Sequence, residues 1–138
     1  MERLERYAHP RNAALLKVLK STAIKGKGDV YDLHGYELHT HPDLCDYLQG
    51  LNPYCYGGAC GIPVLANERG IIFAVARGTS FMAFCLPEPE RTEAMAAGSR
   101  DYPEAGEEWV SVEAWRTEHP KLIKWCRAAH AVANSIKE

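Results

Sequence analysis

The side chains best suited to chemistry gather in residues 33–45 of this 138-residue chain, LHGYELHTHPDLC. His34, His39, His41 and Cys45 are of the types that hold zinc through imidazole nitrogen and thiolate sulfur. A second set would add Cys55 and Cys60 to Cys45 and one of His39 or His41. Its spacing, C-x9-C-x4-C, has none of the close cysteine pairs of a structural zinc knuckle. Cys55 and Cys60 also flank Gly57-Gly58 in PYCYGGACG, read as a flexible loop. A nucleophilic thiol there would need a neighbouring base, which the sequence does not place. The glycine pair has no following helix with Lys-Ser/Thr, so it is not a phosphate loop. Tight backbone packing explains it better.

His39-Thr40-His41-Pro42 resembles the zinc-binding H-x-H-P of the JAMM-type metallopeptidases and deubiquitinases. That resemblance implies zinc held by two histidines and a more distant aspartate, with a glutamate from an earlier strand as base. Gln49 and Asn52 stand where the accompanying serine and aspartate should be, and neither supplies an acidic ligand. Asp43 and Asp46 are too close, both on one short helix. The preferred reading is a strand-to-helix corner at which His41-Pro42 starts a helix. No metal or cofactor is expected, and a metal-dependent hydrolase built on His39 and His41 is the alternative.

The elements that must position these residues are set by hydrophobic pattern. Residues 61–87, GIPVLANERGIIFAVARGTSFMAFCLP, predict three short strands at 62–66, 71–76 and 81–86. Two turns, at 67–70 and 77–80, make them an antiparallel meander. In the middle strand Ile71, Phe73 and Val75 are expected on one face, with Ile72, Ala74 and Ala76 on the other. In the third, Phe81, Ala83 and Cys85 oppose Met82, Phe84 and Leu86. Both faces are apolar, so helices should cover both at least in part. One helix is predicted over 12–23, with Leu15, Leu16 and Leu19 in its stripe. A second begins after His41, with Leu44, Tyr47, Leu48 and Leu51 on its buried side. A short third spans 91–97 and stops at Gly98. Residues 99–107 are polar and turn-rich, and are expected to be the most mobile segment. EWVSV at 108–112 alternates as one more strand, with Trp109 facing away from Val110 and Val112. Residues 120–136 predict the clearest helix, with Leu122, Trp125, Cys126, Ala129, Val132, Ala133 and Ile136 in a continuous stripe.

Length suits one domain, residues 1–138, with enough chain to bury a core without disulfides or metal. A hydrophobic content of 46% and a formal net charge of −2 are those of a globular protein without the phosphate attraction of a dedicated nucleic-acid binder. An N-terminal group of Arg3, Arg6, Arg11, Lys17, Lys20, Lys25 and Lys27 reads as a solvated helix face. No apolar run has the ~20 residues of a membrane span, and the polar start does not resemble a signal peptide. A cytoplasmic protein with five reduced cysteines is expected, Cys85 and Cys126 among the core.

The order helix, helix, meander, polar loop, Trp-bearing strand, terminal helix resembles the TfoX N-terminal domain and the related YjbR-like (MmcQ) proteins over residues 55–136. The resemblance is carried by Gly57-Gly58, IIFAVARGTSFMAFCL, EEWVSV and KLIKWCRAAHAVA. It implies an α+β fold, an antiparallel meander sheet packed with N-terminal and C-terminal helices, and it carries over no catalytic residues. The third strand ends Phe84-Cys85-Leu86-Pro87, where those proteins often place a lysine or arginine. The functional expectation is a small non-catalytic protein acting through macromolecular contacts, a regulator or an immunity protein that blocks a toxin. Tyr54, Tyr56, Arg77 and the partly exposed Trp115 are the expected partner-binding residues, being of types enriched at interface hot spots.

Overall fold

The computed structural model describes residues 4–25, 31–33, 36–38, 40–59, 61–106 and 108–136. Short 3-10 turns at Leu4–Tyr7 and Pro10–Asn12 lead into helix α1, Ala13–Lys25. A small hairpin of β1, Tyr31–Leu33, and β2, Tyr36–Leu38, precedes helix α2, Pro42–Leu51. Then come β3 (Tyr56–Ala59), β4 (Ile62–Ala66), β5 (Ile72–Arg77), β6 (Phe81–Cys85), helix α3 (Glu90–Ala96), β7 (Arg100–Asp101), β8 (Trp109–Glu113) and helix α4 (His119–Ser135). The strands from β3 onward form one antiparallel sheet in the order β3-β4-β5-β6-β8-β7. The fold is α+β, with the meander at its centre.

The sheet is apolar on both faces because both are covered. One face carries Leu65, Ile71, Phe73, Met82, Phe84, Leu86, Val110 and Val112 under α2, α3 and α4. From α4 it takes Leu122, Trp125, Cys126, Ala129 and Ala133, the stripe that the sequence spaces at helical intervals. The other face carries Ile62, Val64, Ile72, Val75, Ala83, Cys85 and Trp109 under Tyr7, Leu15 and Leu19 of the N-terminal segment. Trp109 thus faces away from Val110 and Val112, as the alternation in EWVSV requires.

Two sequence expectations are corrected here. The middle strand does not alternate cleanly: Ile71, Phe73, Ala74 and Ala76 share the first face, while Ile72 and Val75 lie on the second. The cause is a register shift against β4, where Leu65 pairs with Ala74 but Ala66 pairs with Ile72. One extra residue on β5 turns over the sides of everything beyond it. Residues 99–107 are also not simply a polar connection. Arg100 and Asp101 pair with Ser111 and Val110 as strand β7. Tyr102 and Ala105 are buried in the second face, with the Tyr102 ring edge-on to Phe81 at 5.2 Å.

The N-terminal segment is pinned to the sheet by one polar side chain. Asn12, 1% exposed, donates through Nδ2 to Tyr7 O at 2.9 Å and Gly70 O at 2.8 Å. Its Oδ1 accepts from Ile72 N at 2.9 Å. Gly70 sits at φ +79, and a Cβ there would lie 1.9 Å from Arg6 O. The close approach and the left-handed backbone both demand glycine. Across the same turn Asn67 Oδ1 accepts from Arg69 N and Ile71 N, and Arg69 reaches the carbonyls of Ala133 and Ile136 at the end of α4. Arg69 thereby ties this turn to the last turn and the C-cap of α4.

Candidate functional site

Trp115, Tyr47 and His119 meet where α2, the turn after β5 and the chain after β8 come together. Pro42 occupies the first turn of α2, and His41 Nδ1 accepts from Asp43 N at 3.1 Å, which satisfies one open donor of that turn. The spacing 43, 46, 47 puts Asp43, Asp46 and Tyr47 on one side of the helix. Leu44 and Leu48 take the other and are fully buried. Thr40, also fully buried, fixes the helix start by donating to Ala76 O at 2.8 Å.

Opposite α2, β8 runs into a 3-10 turn at Ala114–Arg116. Ala114 is buried and its N–H donates to Ser80 O, so Trp115 has to project outward. Its indole is 53% exposed yet held at two points. Nε1 donates to Thr79 O at 2.7 Å, and the ring packs against Tyr47 with centroids 5.1 Å apart at 33°. Tyr47 continues the row to His119, 5.5 Å away at 31°, with 2.9 Å between its hydroxyl and His119 Nδ1. Burial raises the Tyr47 phenol above its ordinary range, so the hydroxyl keeps its proton. The result is a shallow groove lined by Asp43, Asp46, Tyr47, Trp115, Thr117 and His119.

The four residues expected to bind a partner do not all lie here. Trp115 is the centre of the groove. Arg77 ends β5 two residues before Thr79, and its guanidinium lies 4.4 Å over the Phe81 ring, half-buried. Tyr54 is 97% exposed but belongs to the 3-10 turn Pro53–Cys55 that follows α2. Tyr56 is half-buried against the first core face, and burial, with Cys45 and Asp46 beside it, pushes its phenol far up. Tyr47 and His119 are site residues the sequence reading missed. Tyr47 does pack, partly buried, against the first core face as its place in the α2 stripe requires, and it also lines the groove.

The metal and thiol candidates fall out differently. His34, His39 and Cys60 lie outside the described residues. His41 uses Nδ1 as the acceptor that starts α2, the structural role expected of it. Cys45 Sγ lies 3.7 Å from Thr40 O, and burial first of all raises its thiol. Among the described residues, no group of three or more His, Cys, Asp or Glu is arranged to hold a metal ion. Cys55 does meet a base the sequence could not place, His130 Nε2 at 3.8 Å. It is only 8% exposed, burial raises its pKa, and His130 is stacked on Phe73. Such a thiol stays protonated and covered, the opposite of an activated nucleophile. Cys85 and Cys126 are buried, their thiols pushed up to about 11 and about 12, each first by burial. Gly57-Gly58 belongs to edge strand β3 and is not a loop. A Cβ on Gly57 would stand 2.4 Å from the Tyr7 hydroxyl, so close packing explains that glycine.

No family model, no curated protein and no solved structure matches this chain.

Proposed function

We propose that this chain is a non-catalytic binding domain that acts in the cytoplasm through contacts with another protein, and that Trp115 is the centre of the contact surface. One observation carries the reading. A large aromatic side chain stands half in solvent on a rigid support, with its polar atom already satisfied by Thr79 O. An indole fixed in this way loses little freedom on binding and presents a flat apolar surface, which is how interface hot spots work. The covered, high-pKa thiols offer no competing nucleophile. The resemblance of residues 55–136 to the TfoX N-terminal and YjbR-like proteins brings no catalytic residues with it. An immunity protein that blocks a toxin, or a regulator that docks on an enzyme, is the form such a domain takes.

The test is partner capture with single substitutions. Trp115→Ala should leave the circular-dichroism spectrum unchanged and remove captured partners. Arg77→Ala and Tyr54→Ala should weaken capture less, since Arg77 is partly occupied by Phe81 and Tyr54 lies on another turn. Full capture by all three variants would contradict the reading.

A further inference from the structure

Resting on that reading, we infer that the Trp115 groove receives an arginine side chain projected by the partner. The lining supplies both attractions a guanidinium seeks. The exposed indole of Trp115, already backed by Tyr47, offers the best aromatic surface for a cation. Asp43 and Asp46, both exposed on the adjoining side of α2, offer carboxylates to which a planar fork of N–H donors can bond. His41 Nδ1 lies 3.9 Å from the Asp43 carboxylate and is already the acceptor for Asp43 N. Lys121 of α4 is paired with Glu118 at 3.3 Å. Among the residues lining the groove there is no lysine or arginine. A flat aromatic surface flanked by two carboxylates complements a planar cation, and would repel an acidic segment or nucleic acid.

The probe is the capped tripeptide Gly-Arg-Gly, with the citrulline tripeptide as its neutral isostere, titrated at low salt against the full chain. Binding is read from the Trp115 indole N–H resonance. Arginine should give a saturable shift and bind about fivefold more tightly than citrulline. The difference should vanish in the D43N/D46N double variant, whose two exposed positions leave the fold intact, and should shrink in high salt. Equal binding of the two tripeptides, no saturable shift, or a preference that survives D43N/D46N would overturn the inference. Partner capture separates the two levels. If Trp115→Ala abolishes capture while citrulline binds as well as arginine, the contact surface stands and the arginine does not. If Trp115→Ala leaves capture intact, the surface fails and takes the arginine with it.

Discussion

Asn12 joins three parts of the chain through one amide: the carbonyls of Tyr7 and Gly70 and the N–H of Ile72. Replacing it with leucine, similar in size, would leave three buried backbone groups without that partner, at a cost on the order of 3 kcal/mol. Chemical denaturation of Asn12→Leu should show a lower midpoint with an unchanged slope, and an unchanged midpoint would remove Asn12 from its role as a pin. Trp125, 1% exposed, is the largest fully buried side chain. Trp125→Ala should cost about 3–5 kcal/mol, whereas a thermal midpoint within a degree of the parent would show that its burial contributes little. The thiols of Cys85 and Cys126 carry a sign that can be checked. Their folded values, about 11 and about 12, lie above the ordinary 9.0, so the folded state holds these protons more tightly than the unfolded chain. Stability from this source is complete below about pH 9 and is lost as pH rises toward those values. The denaturation midpoint should therefore fall between pH 9 and 11, and fall less steeply in Cys126→Ala. In the native protein at neutral pH these two thiols should resist alkylation, while five thiols should titrate after denaturation without reductant.

At the scale of elements, patterns with a long period were legible and local exceptions were not. The seven-residue stripe of α4 repeats over four turns, and five of its members are fully buried. The meander was legible because two turns of polar residues interrupt otherwise apolar runs, and the observed strands match it to within a residue or two. The register shift opposite Ala66 was not, because an extra residue in an all-apolar strand changes which side chains share a face without changing the composition. Strand β7 was missed because only Arg100 and Asp101 pair, and both are polar and exposed. What secures that segment is Tyr102, a single aromatic in a polar stretch. The groove was half-legible for a related reason. Trp115 could be singled out as exposed, but Tyr47 sits among leucines on α2 and only the packing of α4 and the turn after β8 against that helix reveals its second side. The Gly70 turn shows how tightly the elements are fitted. Gly70→Ala must both adopt a left-handed backbone and displace Arg6 O, so a loss of roughly 2 kcal/mol or more is expected. A stable Gly70→Ala protein with an unchanged melting curve would mean that the N-terminal segment does not hold this position.

At the scale of the molecule, both faces of the sheet are covered, so the outer surface is built largely from helices and turns. No helix among the described residues is long and apolar enough to cross a membrane. Of the large hydrophobic side chains exposed among the described residues, Tyr54 lies on the turn after α2, while Trp115 is held by a neighbouring ring and a hydrogen bond and shares its groove with two aspartates. Rigid aromatic anchors of this kind account for a large share of binding energy where they occur, and their truncation typically costs 2 kcal/mol or more, about a thirtyfold loss in affinity. The decisive measurement is calorimetric titration of a verified partner with the parent protein and with Trp115→Ala, alongside their melting curves. The account expects a loss of about thirtyfold or more in affinity with melting temperatures that agree closely. Equal affinities for parent and variant would contradict it.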